Sequence, residues 1–253
     1  MRLLTIPMSH YCEKARWGLA HAGVDYIEDA HLQLFHYFAV RRYHSSGKVP
    51  VLVAGTEVVA DSTAILQYLD RGLPEERKLY PASLRGEVEA LEDQFDEGLG
   101  IETRRWVYFH WLGLPARQVL HTAGQGVPAW ERALFPLLFP PMSGYLDRRL
   151  GINAEAVARG LDLIAASFDG VAARLSDGRR YLCGERFTAA DLGFACMAAP
   201  ILLPPQYSIR LPSPEEGPPA ARADVARFRA HPAGRYAMRL FAEDRSQTPN
   251  SSS

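Results

Sequence analysis

The sequence has few cysteines and no long apolar run. Its three cysteines, Cys12, Cys183 and Cys196, are far apart and form neither a CxxC pair nor a zinc-ligand spacing. Separated thiols in odd number are typical of a reduced compartment, because secreted domains usually pair their cysteines. The first apolar run is broken by Thr5 and Pro7, and no run approaches the roughly 20 residues of a membrane span. We therefore expect a cytoplasmic protein that has no membrane partner.

Motifs for metals, nucleotides and nucleic acids are also missing. The eight histidines show no HxxxH or HExxH spacing, and no Walker or Rossmann glycine pattern occurs. The formal net charge is -1. This balance argues against a nucleic-acid binder, whose phosphate contacts need a surplus of Lys and Arg. We expect no metal site, no nucleotide cofactor and no nucleic-acid partner.

The beginning of the chain predicts a strand, a helix and a second strand. Residues 3–6 form an apolar run that is typical of a buried strand. Ser9 and Gly23 are suited to cap a helix over residues 12–22 at its two ends. Residues 24–28 are the next strand candidate, and strands joined by a helix in this way pair in parallel.

A hairpin and another helix follow. Two strand-like runs, 49–53 and 57–59, flank a Gly-Thr pair that suits a tight turn. Asp61 and Ser62 then begin a helix that Gly72 ends. Together with a weakly helical stretch before the hairpin, this order predicts a small mixed α/β unit.

The pattern changes near residue 80. Residues 71–83 are charged and contain two prolines, which is typical of a linker. Beyond it only helical spacing occurs, with apolar residues every three or four positions over 84–99 and 157–175. We therefore expect a mixed α/β domain over residues 1–80 and an all-helical domain over 84–245.

Proline interrupts the helical half at two places. Residues 113–144 contain five prolines, so any helix there is expected to be broken. Residues 200–219 contain seven, which excludes a continuous helix. Residues 246–253 are polar and are predicted to form a disordered tail.

The turn that contains Ser9 and Cys12 is the first candidate for chemistry. The unpaired N–H groups and the positive dipole at a helix start stabilise an anion such as a thiolate. Ser9 can donate a hydrogen bond to such a thiolate, and Cys12 can itself become one. Taken alone, a plain helix cap at Ser9 and a small buried side chain at Cys12 are the simpler explanation.

Two more candidates lie further along. A cis bond between Val49 and Pro50 would expose the backbone of Val49 to an extended peptide, although most X–Pro bonds are trans. A helix start with Asp61 and Ser62 suits the carboxylate and the ammonium of an α-amino acid, although a simple cap would have the same sequence.

Four blocks of sequence together resemble the glutathione S-transferase family. They are SHYCEKARWGLAHAGVDY, GKVPVLVAGTEVVADSTAILQYLD, KLYP and TAADL. The resemblance covers residues 1–112 and 154–200 and is nearest to Ser-type tau and theta members and to omega-like members among cytosolic, bacterial-like proteins. It implies an α/β plus all-α fold, in which a thioredoxin-like N-terminal domain with a mixed four-stranded sheet precedes an all-helical domain.

The resemblance implies that glutathione lies along the edge of the sheet. Val49, before a cis Pro50, would pair through its backbone with the cysteinyl part. Ser62 would hold the γ-glutamyl carboxylate, and Asp61 would lie near the α-ammonium. Lys48 would lie near the glycyl carboxylate. Glutathione is thus the expected co-substrate, and no metal is expected.

The catalytic position is open between Ser9 and Cys12. Ser9 aligns with the family's catalytic residue and would stabilise the glutathione thiolate for attack on a small electrophile, which makes the protein a transferase. Cys12 aligns with the second cysteine of glutaredoxin-like motifs, so a glutathione-dependent thiol-disulfide oxidoreductase is the alternative. A non-catalytic glutathione-binding protein is a third hypothesis. We favour Ser9, because a hydroxyl cannot replace a thiol in disulfide exchange.

The electrophile is expected to bind between the Ser9 turn and the long helix after the linker. The candidate pocket residues are His10, Tyr11, Arg104, Arg105 and Tyr108, whose cationic and aromatic groups suit an anionic or aromatic co-substrate. A solvated arginine pair beside core aromatics is the plainer alternative. The resemblance further implies a homodimer and a role in detoxification.

Overall fold

The computed structural model describes residues 1–245, and the tail predicted for residues 246–253 lies outside them. The N-terminal elements are β1 (Arg2–Thr5), α1 (His10–Ala22), β2 (Ile27–Ala30), α2 (Phe35–Val40), β3 (Val51–Ala54), β4 (Glu57–Ala60) and α3 (Ser62–Asp70). The strands form one sheet in the order β2-β1-β3-β4, parallel between β1 and β2 and antiparallel elsewhere. The predicted thioredoxin-like domain with a mixed four-stranded sheet is confirmed.

Helix α1 has the ends that the sequence predicts, but the next strand is displaced. Ser9 is the N-cap of α1, and Gly23 follows its last turn with a φ of 68°. Strand β2 begins at Ile27, three residues later than predicted. The reason is that Val24 donates its N–H to the C=O of Leu19 (3.0 Å), so this residue completes the helix end and does not pair with β1.

Helices make up the ordered elements after residue 84. They are α4 (Arg85–Gln94), α5 (Gly100–Trp111), α6 (Ala116–Ala123), α7 (Ala129–Leu150), α8 (Ala154–Arg174), α9 (Ala189–Leu202), α10 (Pro219–Ala230) and α11 (Pro232–Glu243). A π-helical turn, Phe95–Leu99, joins α4 to α5. Helix α9 is the centre of the domain, because each of its residues except Pro200 is buried. The predicted all-helical second domain is confirmed.

The expectation of a broken helix over residues 113–144 was wrong for α7. This helix is continuous through Pro136, Pro140 and Pro141. All three prolines lie on its exposed side, where carbonyl groups that lose an N–H partner can bond to water. The opposite side buries apolar residues such as Phe135 and Phe139, and this packing favours the helix. The second proline stretch behaves as predicted, since only a short 3-10 turn lies between α9 and α10.

The two domains share a core. Within the predicted linker, Leu79 and Tyr80 are buried in one apolar cluster with Trp17 of α1 and residues of α9. The N–H of Ala189 donates to the C=O of Leu79 (3.0 Å), so the linker also holds the start of α9. This packing fixes the Ser9 turn against the helical domain. Over residues 1–245, no helix has both the length and the apolar character needed to cross a membrane.

Candidate active site

Ser9 lies between the end of β1 and the start of α1. Its backbone is extended, and its Oγ accepts a hydrogen bond from the N–H of Cys12 at 3.3 Å. The Ser9 side chain is half-buried, so a ligand can approach it from outside. The N-terminal end of α1 points its positive dipole at the same place. The turn is therefore suited to a negatively charged sulfur.

Cys12 has the opposite environment, although it is only one helical turn away. Its side chain is fully buried, and its Sγ accepts the N–H of Ile6 at 3.5 Å. Burial raises the pKa of the thiol, although the Arg16 cation and the Ser9 hydroxyl act against it. Because the thiolate is the reactive form of cysteine, this thiol is poorly placed for exchange.

His10 and Tyr11 are held in contacts of their own. The Tyr11 hydroxyl donates to the C=O of Asp96 at 2.7 Å, and burial raises its pKa to about 12. His10 is buried beside Tyr11, with 4.4 Å between the ring centroids. Burial, and next the Arg104 cation, lower its pKa to about 3. His10 is therefore neutral at physiological pH, and the Tyr11 proton is already engaged.

The end of the sheet at which the interior strand β3 begins, here called the sheet edge, carries backbone groups without partners. The bond between Val49 and Pro50 is cis. The C=O of Pro50 accepts the N–H of Asp61 (3.1 Å), but within residues 1–245 neither the N–H nor the C=O of Val49 has a hydrogen bond. Lys48 is exposed beside them. This segment can pair with an extended peptide.

The start of α3 lies next to this edge. Asp61 is exposed, has a φ of 90°, and accepts the N–H groups of Thr63 (2.9 Å) and Ala64 (3.3 Å) through Oδ1. Positive φ at a residue other than glycine is uncommon and is concentrated at ligand sites. Ser62 is buried, and its Oγ has no hydrogen-bond partner within residues 1–245. A buried hydroxyl without a partner is suited to a polar ligand.

A buried ionic network behind α3 was missed by the sequence analysis. The Nζ of Lys14 contacts Asp96 Oδ2 (2.5 Å), Glu92 Oε1 (2.8 Å) and Thr63 Oγ1 (2.9 Å), and Tyr80 donates to Glu92 at 2.7 Å. Burial alone would lower the pKa of Lys14, but the two carboxylates raise it. The network ties α1, α3 and α4 together. No local pattern could reveal it, since Lys14 and Asp96 are 82 positions apart.

The two candidate arginines of α5 lie on different sides of that helix. Gly100 packs against His10 and Tyr11, where an added Cβ would lie 2.8 Å from the Tyr11 hydroxyl. Arg104 follows one turn later and Tyr108 another turn later, so both lie on the face of α5 that points to the Ser9 turn. Arg105 forms an ion pair with Glu102 on another side. The structure thus brings Arg104 and Tyr108, but not Arg105, towards Ser9.

Helices α6 and α7 form an apolar wall beside the turn. Their buried side chains pack against α2 and the segment before it, and Met8 and Trp111 lie at the margin of this cluster. Glu131 of α7 is fully buried, accepts the N–H of Leu32 (2.9 Å) and contacts His31 Nδ1 (2.5 Å). The contacts of this wall leave no local pattern in the sequence, because they join positions about 100 apart.

In the part of the chain that the structure describes, no group of three or more His, Cys, Asp or Glu side chains could hold a metal ion.

Comparison with protein families identifies the class of protein. Residues 8–71 match the N-terminal domain of glutathione S-transferases, and residues 154–223 match their C-terminal domain. The two matches together span more than half of the chain, in the order that the family has. The chain therefore belongs to the glutathione S-transferase family. No curated protein matches it.

Solved structures show the same fold over nearly the whole chain. A glutathione S-transferase from Rhodospirillum rubrum is 23% identical, with a TM-score of 0.57 over 96% of this chain and 98% of that one. A glutathione-bound glutathione S-transferase from Methylobacillus flagellatus is 20% identical, with a TM-score of 0.54 over 93% and 98%. A beta-etherase from Sphingobium is 20% identical, with a TM-score of 0.59 over 94% and 98%. These similarities concern the fold.

Proposed function

We propose that the protein binds glutathione along the edge of its sheet and activates the thiol for attack on a small electrophile. The buried Ser62 hydroxyl suits the γ-glutamyl carboxylate, and the exposed Asp61 carboxylate suits the α-ammonium. The free backbone groups of Val49 suit the cysteinyl part, and Lys48 suits the glycyl carboxylate. The polar groups that lack partners in the described protein support this assignment.

In the proposed reaction, Ser9 stabilises the glutathione thiolate. Its hydroxyl donates a hydrogen bond to the sulfur, and the N-terminal end of α1 lowers the pKa of the bound thiol. The thiol proton passes to solvent. The sulfur then forms a C–S bond with the electrophilic carbon, and the leaving group departs with the electrons of the broken bond.

The contrast between Ser9 and Cys12 carries this proposal. Ser9 is half-buried at the mouth of the turn, whereas Cys12 is fully buried and has a raised pKa. Disulfide exchange requires an accessible thiolate, and Cys12 offers neither property. Tyr11 is not an alternative activator, since its hydroxyl already donates to Asp96. The geometry therefore favours conjugation over thiol-disulfide oxidoreduction.

The test compares Ser9→Ala with Cys12→Ala. We expect Ser9→Ala to lower kcat/KM for a chloronitrobenzene by about 10- to 100-fold, the value of one hydrogen bond to a charged group. It should also move the pH profile of kcat/KM to higher pH. Cys12→Ala should keep conjugation. Loss of activity in Cys12→Ala alone, together with reduction of a model disulfide by the wild type, would instead establish the oxidoreductase. Tight glutathione binding without any turnover would indicate a non-catalytic binder.

Family membership supports three further parts of the proposal. We propose a homodimer, a cytoplasmic location and a role in detoxification, with glutathione and the electrophile as the small-molecule partners. Light scattering of the purified chain tests the first, since a monomeric mass would contradict it.

A further inference from the structure

Arg104 differs from Arg16 and Arg105, the other arginines of α1 and α5, in having no acidic partner within residues 1–245. Fully buried Arg16 pairs with Glu28 (2.6 Å), and Arg105 pairs with Glu102. Arg104 is partly buried, yet it has no hydrogen bond or ion pair within residues 1–245. Buried and half-buried cations are normally paired, because losing hydration without a partner is costly. An arginine left in this state is suited to an anion that comes from outside.

The position of Arg104 restricts what that anion can be. It lies one turn after Gly100, which contacts His10 and Tyr11, and one turn before Tyr108. On one side is the Ser9 turn, and on the other is the apolar wall with Trp111 at its margin. Its charge reaches the turn, since after burial it is the largest influence that lowers the pKa of His10. A ligand that reaches Arg104 therefore passes beside the sulfur position and against aromatic groups.

We propose that Arg104 selects electrophiles that carry a carboxylate on an aromatic or similarly apolar body. The proposal rests on the glutathione-conjugating function proposed above and names its substrate class. The planar guanidinium of arginine holds a carboxylate through two parallel hydrogen bonds, which fixes the orientation of the ring that bears it. Tyr108 and Trp111 accommodate the apolar body. For a halogenated nitrobenzoate, the thiolate forms the C–S bond, the C–halogen bond breaks, and halide leaves.

The experiment compares two matched ligands by calorimetry. They are the S-conjugate of glutathione with a nitrobenzoate and the conjugate with the corresponding nitrobenzamide, which differ only in the charge of one group. We expect the wild type to bind the carboxylate conjugate about tenfold or more tightly than the amide conjugate. Arg104→Met should remove this preference, and Arg104→Lys should keep part of it. Arg159→Met is the control, since Arg159 is exposed on α8 and pairs with Glu155.

Each remaining outcome counts against the proposal in a recognisable way. Equal binding of the two conjugates by the wild type overturns the selection by Arg104 and leaves the conjugating function intact. If Arg104→Met weakens glutathione itself as much as it weakens the carboxylate conjugate, Arg104 belongs to the glutathione site. If glutathione does not bind to the wild type, the proposed function fails, and the selection fails with it.

Discussion

The sheet edge and the wall of α6 and α7 meet at the Ser9 turn, and they differ in how their buried polar groups are satisfied. At the edge, the Ser62 hydroxyl is buried without a partner. In the wall, both carboxylate oxygens of buried Glu131 are bonded, to Leu32 and His31. An unmade hydrogen bond costs about 1–3 kcal/mol, so a stable protein keeps few of them. The unpartnered hydroxyl at the edge therefore costs stability, whereas the bonded carboxylate of the wall does not.

The family matches divide along the same line. The edge lies within residues 8–71, which match the N-terminal domain of the family, and α6 and α7 lie outside both matches. The family models therefore cover the sheet edge and do not cover the wall. We expect substitutions in the wall to lower stability and substitutions at the sheet edge to weaken glutathione binding.

The largest expected effect is a loss of stability caused by a substitution in the wall. Phe135→Ala removes a buried ring of α7 and should lower the free energy of unfolding by about 3–5 kcal/mol, since a cavity remains. Leu137→Ala is the control on the same helix, because Leu137 is 74% exposed, and its effect should stay within about 0.5 kcal/mol. Urea unfolding measures both. If glutathione affinity fell as steeply as stability, the two regions would not be independent.

The next effect concerns pH and lies at the boundary between the regions. His10 has a pKa near 6.5 when unfolded and about 3 when folded, so the unfolded chain binds its proton more readily. Its contribution to stability is therefore complete above pH 6.5 and is lost as the pH falls towards 3. By pH 4 the loss should be on the order of 3 kcal/mol.

The matching variant isolates this titration. His10→Gln should show a smaller loss of stability than the wild type between pH 7 and pH 4, measured by thermal unfolding. If the stability of the two proteins fell equally with pH, folding would not lower the pKa of His10.

A smaller effect is expected at the sheet edge, where a substitution should weaken glutathione binding and leave stability unchanged or higher. Ser62→Ala should weaken glutathione about tenfold in calorimetry, because the γ-glutamyl carboxylate loses a hydrogen bond. Thermal stability without glutathione should stay equal or rise, since a buried group without a partner is removed. A loss of stability as large as that of Phe135→Ala would show that the Ser62 hydroxyl has a structural role.

The smallest effect belongs to Lys48. This side chain is exposed, so Lys48→Gln should raise the KM for glutathione by only about two- to fivefold. The difference from the wild type should shrink as salt is added, because salt screens exposed charges. A salt-independent effect would place Lys48 in a desolvated contact instead.

Local chemistry explains which parts of the site could be predicted. The cap at Ser9 and the helix start at Asp61 each depend on a few neighbouring residues, whereas the cis bond at Pro50 was expected only from the resemblance to the family. The order of these blocks along the chain indicated the family and its sheet, and the placement of the glutathione groups stays a prediction. The beginning of β2 was misplaced because a helix-end hydrogen bond at Val24 competes with strand pairing.

Contacts between distant segments could not be predicted in the same way. The spacing of apolar residues predicts the helix that contains Arg104 and Arg105. It does not predict which of the two arginines lies on the face that points to Ser9. It also overestimates the cost of prolines in α7, because exposure of those prolines is a property of the packed molecule. The burial of Cys12, which favours the transferase hypothesis over the oxidoreductase hypothesis, likewise depends on the complete fold.

The π-helical turn between α4 and α5 has a consequence for how the pocket tolerates change. Such a turn holds one extra residue, and each residue of a helix corresponds to about 100° of rotation, so the insertion sets the phase of all of α5. Deleting one residue there would move Arg105 into the angular place of Arg104, and the charge would survive. Ile101 would then replace Gly100, where even a Cβ would lie 2.5 Å from Met197 Sδ. The neighbouring arginines would thus keep the positive charge after such a shift of register, but the side chain at the position of Gly100 would clash and prevent the shift.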